Sequence, residues 1–287
     1  MVRELPDIEI KEVRILPTKG ASTPLIRWPG GKRALVSKIT SKFPENFNRY
    51  YEPFFGGGAI FFAIAPENAA LSDINSDLIN AYAMVRDRPG ELISELENYE
   101  NSEGFYYEVR ASRPSDIIKK SARLLYLTRL SFNGIYRVNL NGDFNVPYGK
   151  KHHLSAFDLT KLLETSEALK GVSLSVADFE LATESARSGD LVYFDPPYTV
   201  AHANNGFVKY NENIFSWADQ VRLAEHARTL AARGCFVAVS NADHVSVDAL
   251  YGDFNKMMIE RFSVIAASSA FRRQITECLY FLGGDFS

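Results

Sequence analysis

Short apolar runs alternate with amphipathic segments along much of the chain, a pattern that is typical of strands followed by helices. The clearest run is Leu191–Phe194, which stands between a Ser-Gly-Asp turn and two prolines. A continuous apolar run of this length predicts a strand that is buried on both faces. Similar runs occur at residues 49–55, 69–72, 172–176 and 235–240. Together they predict an α/β fold built on a Rossmann-like, mainly parallel sheet.

The alternation of strands and helices stops between residues 91 and 169. Apolar positions recur there at helical spacing on both sides of an irregular centre. We therefore predict a second, mainly helical domain, inserted into a catalytic domain that consists of residues 24–90 and 170–287. Residues 1–23 have mixed charge, two prolines and no sustained period, so they are expected to form a flexible N-terminal arm.

The irregular centre of the inserted segment predicts a β-hairpin. Residues 131–150 contain the Asn-Gly pair twice, and Asn-Gly is a strong hairpin signal. The pattern puts Ile135, Tyr136 and Arg137 near the first tip. An apolar side chain beside an arginine on an exposed loop is unfavourable unless it is used, so we expect Ile135 to insert into a base stack and Arg137 to read a guanine edge. Packing of Ile135 on the core of the insert is the alternative.

Glycines and an acidic residue follow the first two predicted strands. Gly56, Gly57 and Gly58 precede an apolar helix, at a place where a ligand can approach the main chain closely. Asp73 ends the next strand, roughly twenty positions later, where such folds hydrogen-bond ribose hydroxyls. A Gly-Gly-Lys turn also opens an earlier helix, but it lacks the full spacing of a P-loop. The order and spacing favour a cofactor that contains adenosine.

The strand at 191–194 runs into Asp195-Pro196-Pro197-Tyr198. Two consecutive prolines lack N–H donors and fix φ, so the groups just beyond the strand are held rigidly. Open α/β sheets bind ligands at this carboxyl edge. A flat base with an exocyclic amino group suits the motif, because Asp195 and the Pro196 carbonyl can accept its N–H groups while Tyr198 stacks on its ring. A surface turn after a core strand is the alternative.

Charge is distributed unevenly along the chain. The net charge is −3, yet residues 110–151 contain nine basic and two acidic side chains. A basic segment in an acidic protein is typical of phosphate contacts, and a solvated helix face is the alternative. A polar loop at 199–213 is expected to cover the site, and Arg272 and Arg273 could contact phosphates.

Targeting and metal chemistry are not indicated. The sequence contains no run of about 18 apolar residues and no apolar leader, so a soluble, cytoplasmic protein is expected. Cys235 and Cys278 lie in apolar runs, which favours buried thiols over a disulfide or a metal pair. The five histidines do not have the spacing of metal ligands, so we expect no metal site.

Taken together, these motifs resemble those of the Dam-type N6-adenine DNA methyltransferases. The similarity runs from about residue 25 to 282, and the motifs follow one another in the family's order. They are Trp28-Pro29-Gly30-Gly31-Lys32, Phe54-Phe55-Gly56-Gly57-Gly58, the segment from Ser72 to Leu78, the hairpin segment from Leu125 to Gly149, and Asp195-Pro196-Pro197-Tyr198.

The resemblance implies S-adenosylmethionine as cofactor and direct methyl transfer to the N6 amino group of an adenine flipped out of double-stranded DNA, in GATC or a similar sequence. The implied cofactor-binding residues are Trp28, Lys32, Phe55, Gly56, Gly58, Asp73, Asp178, Phe179 and Asp195. The implied catalytic residues are Asp195, Pro196 and Tyr198. The implied DNA-binding residues are Asn133, Ile135, Arg137, Asn139 and Lys150. Related enzymes carry an arginine where Lys150 stands, and lysine lacks the bidentate fork, so the recognition sequence stays open. We expect a monomer.

Other functions share part of this pattern. A nicotinamide-dependent dehydrogenase would have the glycine turn and Asp73, but not the proline-paired tetrad or the basic insert. A DNA-binding protein that has lost catalysis would not need intact cofactor motifs. Among methyltransferases, the N4 atom of cytosine, adenine in RNA and the side chain of glutamine are further possible targets. The resemblance implies adenine, because an Asp precedes the two prolines.

Overall fold

A seven-stranded sheet organises the chain in the computed structural model, which describes residues 23–139, 141–200, 215–262 and 274–283. The expected N-terminal arm up to residue 22, most of the loop at 199–213, and Arg272 and Arg273 lie outside these residues. The strands are β1 (Tyr50–Glu52), β2 (Ala69–Asp73), β3 (Ser173–Val176), β4 (Leu191–Phe194), β5 (Phe236–Ala242), β6 (Asn255–Phe262) and β7 (Gln274–Leu282).

The strand order β3-β2-β1-β4-β5-β7-β6 combines a parallel and an antiparallel part. The five strands β3, β2, β1, β4 and β5 are parallel to one another in this order, whereas β7 runs antiparallel between β5 and β6. All four residues of β4 are buried, as the apolar run predicts. Because β2, β1 and β4 are adjacent and parallel, the residues that follow them meet at one edge of the sheet. The predicted α/β, Rossmann-like fold is confirmed.

Helices cover both faces of this sheet. They are α1 (Val36–Thr40), α2 (Ala59–Ile64), α3 (Ser76–Asp87), α4 (Pro89–Leu96), α5 (Glu103–Ala111), α6 (Ile117–Leu130), α7 (Leu159–Ala168), α8 (Phe179–Ala182), α9 (Trp217–Ala232) and α10 (Val245–Leu250). Polar side chains fix several helix starts, since Asn75 accepts a hydrogen bond from the Leu78 N–H and Ser216 forms a capping box with Asp219. None of the helices in the described part of the chain is both long and apolar enough to cross a membrane.

Two hydrophobic clusters lie on the sheet. The first joins Leu71 of β2 and Tyr82 of α3 to residues of the helical segment such as Leu92 and Tyr126, and the second packs α9 against β4 and β5. The helical segment therefore shares its core with the first strand–helix units, because α3 packs directly against α6. The division of the chain into domains stays a prediction.

The predicted hairpin forms, and both Asn-Gly pairs make turns in it. Antiparallel bridges pair Ser131 with Tyr148 and Val138 with Phe144. The chain reverses around the second Asn-Gly pair, where the Gly142 N–H donates to the Asn139 carbonyl at 3.0 Å. The first pair forms a 3-10 turn, with Asn133 at φ 55° and Gly134 at φ 67°. Ile135, Tyr136 and Arg137 follow this first turn and lead into the arm in which Val138 pairs with Phe144.

Candidate active site

The carboxyl edge of the parallel strands collects the Asp-Pro-Pro-Tyr motif and the Gly-Gly-Lys turn. The Lys32 Nζ atom lies 2.8 Å from Asp195 Oδ1 and donates to the Gly30 carbonyl at 2.8 Å. The Lys32 side chain is 5% exposed and that of Asp195 is 18% exposed. An ion pair with so little water around it is costly to break from one side, since the remaining charge stays buried without its partner.

Tyr198 completes this cluster. Its hydroxyl donates to Glu277 Oε2 at 2.8 Å, and Lys32 Nζ lies 4.9 Å from the centre of its ring. Burial raises the pKa of Tyr198 well above its ordinary value, and the charges of Asp195 and Glu277 act in the same direction. The phenol is therefore a neutral hydrogen-bond donor with a fixed ring plane.

Asp73 and the glycine loop form the second part of the edge. Asp73 Oδ2 accepts the Gly56 N–H at 3.0 Å and Oδ1 accepts the Asn75 N–H at 2.9 Å. Burial raises the pKa of Asp73, while these N–H donors act to lower it. Gly56 has φ +48°, and a Cβ there would lie 2.8 Å from the Trp28 ring, so the loop needs glycine at this position. A Cβ at Gly58, φ +69°, would overlap the Phe55 ring.

Trp28 stands between the glycine loop and the hairpin. Its ring stacks on Tyr136 with the centroids 4.4 Å apart and the planes at 20°. The same ring borders Gly56. Gly134 approaches the neighbouring Arg27 so closely that a Cβ would lie 2.5 Å from Arg27 Cδ. The predicted cofactor motif and the predicted DNA-reading hairpin are thus in direct contact.

Asp178 and Phe179 begin α8. Asp178 caps this helix through the Glu180 N–H and also receives both terminal nitrogens of Arg222, at 3.0 and 2.9 Å. Phe179 is buried and stacks on Phe54 with the centroids 5.8 Å apart. Its side chain therefore belongs to the second hydrophobic cluster.

The chemistry of this edge includes residues that the sequence motifs do not contain. Glu277 and Arg222 contact motif residues, but they lie on elements far along the chain. Glu52, 3% exposed, accepts the Tyr50 hydroxyl at 2.8 Å and the Phe61 N–H at 3.2 Å. Burial raises the pKa of Glu52 to about 8. A charged residue inside an apolar strand is the signal that could have revealed both Glu52 and Glu277.

The predicted DNA-binding residues lie along one end of the insert. Asn133, Arg137, Asn139 and Lys150 are exposed, whereas Ile135 is half-buried and packs against the first hydrophobic cluster. Arg137 donates through Nε to the Asn145 side chain at 2.7 Å. The Asn139 side chain accepts the N–H groups of Asn141 and Asp143 and so holds the turn. Phe132, which the sequence reasoning did not single out, is 51% exposed.

The two cysteines are buried and unpaired by a disulfide, in agreement with the prediction. Burial raises the pKa of Cys235 and of Cys278 to about 11, so both are thiols at neutral pH. Among the described residues, no three His, Cys, Asp or Glu side chains are grouped as ligands of a metal ion would be.

The fold and the site together define the class of protein, a methyltransferase with a Rossmann-like sheet. The features that define it are the antiparallel seventh strand, the glycine loop beside Asp73 and the Asp-Pro-Pro-Tyr motif after β4. The family model of the D12 class N6 adenine-specific DNA methyltransferases matches residues 28–265, and the chain belongs to this family. It is a site-specific DNA methyltransferase that acts on adenine, and the resemblance seen in the sequence is confirmed. A dehydrogenase is excluded.

Curated relatives agree with the family. The Type II methyltransferase M1.LlaDCHI of Lactococcus lactis subsp. cremoris is 41% identical over 266 residues, which cover 89% of this chain and 94% of the relative. M.MjaIII of Methanocaldococcus jannaschii is 35% identical, with 81% and 89% covered. The DNA adenine methylase of Escherichia coli (strain K12) is 30% identical, with 88% and 93% covered.

Proposed function

We propose that this enzyme transfers a methyl group from S-adenosylmethionine to the N6 atom of an adenine that is flipped out of double-stranded DNA. The observation that carries the proposal is the half-buried Asp195 carboxylate, held by Lys32 beside the Tyr198 ring at the same sheet edge as Asp73. A base inside a duplex cannot reach a carboxylate at this depth, so the target adenine has to leave the stack.

The residues at this edge fit an adenosine-containing cofactor. A carboxylate offers about four lone-pair sites, so Asp73 can accept a ribose hydroxyl in addition to the N–H groups of Gly56 and Asn75. The left-handed Gly56 and Gly58 leave the main chain open to a close approach. Ile74, next to Asp73, is an apolar side chain that is 58% exposed and could cover an adenine ring. S-adenosylmethionine bound here would supply the methyl group on a sulfonium.

The chain's own groups would act on the adenine amino group. Its lone pair is delocalised into the ring, which makes the amine a poor nucleophile. Hydrogen bonds from its two N–H groups to the Asp195 carboxylate and the Pro196 carbonyl favour the localised lone pair and aim it at the methyl group. The cofactor would supply the methyl group at its sulfonium carbon and leave as a neutral thioether, and the Asp195 carboxylate, which accepts an amino N–H, would take up the proton that the amine loses. Tyr198 stacks on the base, and no covalent enzyme intermediate is required.

DNA recognition is assigned to the segment 91–169. The basic residues of this segment would neutralise phosphates. We propose that Arg137 reads a guanine edge, with Asn133, Asn139 and Lys150 contributing contacts, in GATC or a similar sequence. The insertion of Ile135 between bases stays a prediction, and the exposed Phe132 is a second candidate for that role. We further propose that the enzyme works as a monomer and without a metal ion.

Asp195→Asn tests the reaction. It keeps the size of the side chain but removes the charge and one acceptor, so tritium transfer from labelled S-adenosylmethionine to adenine-unmethylated plasmid DNA should fall roughly a thousandfold or more. Glu260→Gln, which neutralises an exposed acid on β6, is the control and should keep full activity. Wild-type activity in Asp195→Asn would refute the proposal. Sequencing of the modified bases identifies the recognition sequence.

A further inference from the structure

A buried acid on β7, Glu277, contacts residues of the candidate active site. Glu277 is paired with Ala242 of β5 and Ile259 of β6, and its side chain is 3% exposed. It belongs to none of the sequence motifs, and it lies beyond residues 28–265, which the family model matches. A charged group at such a position is expensive to bury unless it has partners.

The partners of Glu277 are residues of the proposed reaction. Its Oε2 atom accepts the hydroxyl of Tyr198 at 2.8 Å and lies 3.6 Å from the Nζ atom of Lys32. Lys32 Nζ is in turn 2.8 Å from Asp195 Oδ1. One oxygen of Glu277 therefore contacts both the aromatic ring that would stack on the base and the cation that pairs with the catalytic carboxylate.

This arrangement divides one ammonium between two carboxylates. If Asp195 were the only acid near Lys32, the ammonium would bind Asp195 tightly. It would then compete with the adenine amino group, which has to donate a hydrogen bond to the same carboxylate. The charge of Glu277 attracts the same ammonium from a comparable distance, so it weakens that competition. The hydrogen bond from Tyr198 also fixes the ring plane on which a flipped base would lie.

We propose that Glu277 is a positioning residue for methyl transfer, which shares the Lys32 ammonium with Asp195 and orients the ring of Tyr198. An oxygen of Asp195 then stays available to the target amino group. The proposal rests on the proposed function, because it assigns Glu277 a part in the same step. It gives the seventh strand a chemical role in addition to its place in the sheet.

Glu277→Gln separates charge from shape. The amide oxygen still accepts from Tyr198, but the ammonium of Lys32 then has Asp195 as its nearest acid. The single-turnover rate of methylation of plasmid DNA should fall roughly ten- to hundredfold, while the Kd for DNA and the KM for S-adenosylmethionine change less than about threefold. Glu260→Gln, an exposed acid on the adjacent strand, is the matched control. A wild-type rate in Glu277→Gln overturns the proposal.

A double-variant cycle shows whether Glu277 acts through Lys32. In a Lys32→Met background the further loss from Glu277→Gln should shrink to less than about threefold, since the shared cation is gone. Multiplicative losses would contradict the proposal. Glu277→Asp restores the charge on a shorter side chain, and its rate should lie between those of Glu277→Gln and the wild type. If thermal melts show that Glu277→Gln does not fold, a wild-type rate in Glu277→Asp overturns the proposal instead.

The wild-type enzyme distinguishes this inference from the function on which it rests. Absence of methyl transfer by the wild type to any adenine in plasmid DNA would refute the proposed function itself. An active wild type together with an equally active, folded Glu277→Gln variant would remove the role of Glu277 and leave the proposed function intact.

Discussion

Three acids at one sheet edge, of which Glu52 is buried and Asp73 and Asp195 are half-buried, are held in three different ways. Asp195 pairs with the Lys32 ammonium, Asp73 accepts two backbone N–H groups, and Glu52 accepts one phenol and one N–H. Burial raises the pKa of Glu52 to about 8, with a further contribution from the charge of Asp195. At neutral pH Glu52 is therefore a neutral acid and adds no negative charge to this edge.

The raised pKa of Glu52 makes the stability of the fold depend on pH. The folded protein keeps this proton up to about pH 8, whereas an unfolded glutamic acid loses it near pH 4.3. Stability from Glu52 is thus complete below the unfolded pKa and is lost as the pH rises through the folded one, by up to about 1.4 kcal/mol per pH unit. In Glu52→Gln the amide oxygen can accept both hydrogen bonds, so this slope should disappear.

Urea unfolding of the wild type and Glu52→Gln at several values from about pH 5 to about pH 9 measures the slope. Glu97→Gln, an exposed acid after α4, is the control and should keep the wild-type slope. Equal slopes in the wild type and Glu52→Gln would mean that Glu52 is ionised in the folded protein.

Between elements, the contact of Trp28 with Tyr136 joins the turn before α1 to the hairpin. A stacked aromatic pair contributes roughly 0.5–1.5 kcal/mol beyond the area that it buries. Trp28 also borders the glycine loop whose Gly56 N–H holds Asp73. An arm of the hairpin that is fixed by DNA would therefore restrict Trp28 and, through it, the loop at the cofactor side.

Tyr136→Ala should weaken the coupling between the two ligands. We expect the factor by which DNA tightens the binding of S-adenosylhomocysteine to fall roughly three- to tenfold, and the effect of S-adenosylhomocysteine on DNA binding to fall by the same factor, because linkage is reciprocal. Tyr136→Phe keeps the stacked ring and should behave as the wild type. Titration calorimetry with each ligand, alone and with the other, measures both factors. Unchanged coupling in Tyr136→Ala would disprove the connection.

Two apolar side chains flank the first Asn-Gly turn, and their burial differs. Phe132 is 51% exposed, whereas Ile135 packs against the first hydrophobic cluster. Phe132→Ala should weaken binding of duplex DNA roughly tenfold with little change in Tm. Ile135→Ala should mainly lower the Tm, because it removes buried methyl groups. The opposite result, a DNA-binding defect in Ile135→Ala at unchanged Tm, would support insertion of Ile135 between bases.

At the scale of the whole molecule, the sequence predicts what depends on neighbours in the chain. The run at Leu191–Phe194 contains its own signal for a buried strand, and two prolines mark where it ends. The class of fold and the order of the motifs follow from such local patterns. Both Asn-Gly pairs of the hairpin give the same local signal, so the sequence does not show that the chain reverses at the second pair while the first packs against Arg27.

These local patterns do not predict contacts between residues that are distant in the sequence. Tyr198 and Glu277 are 79 positions apart, and Arg222 and Asp178 are 44 positions apart. The spacing of these residues in the sequence does not show that they are in contact. The partners lie on or next to elements that the order of strands in the sheet brings together. Glu277, the second acidic partner of Lys32, reaches it because β7 lies between β5 and β6.

The position of β7 has a consequence for the nascent protein. β7 is the last strand of the described sheet along the chain, yet it occupies an inner place next to β5. A ribosome therefore delivers the acceptor for Lys32 and Tyr198 after every other strand has emerged. Until β7 pairs with β5, a growing polypeptide lacks Glu277 beside Lys32 and Tyr198, so we expect modification of DNA to begin only after β7 has been translated.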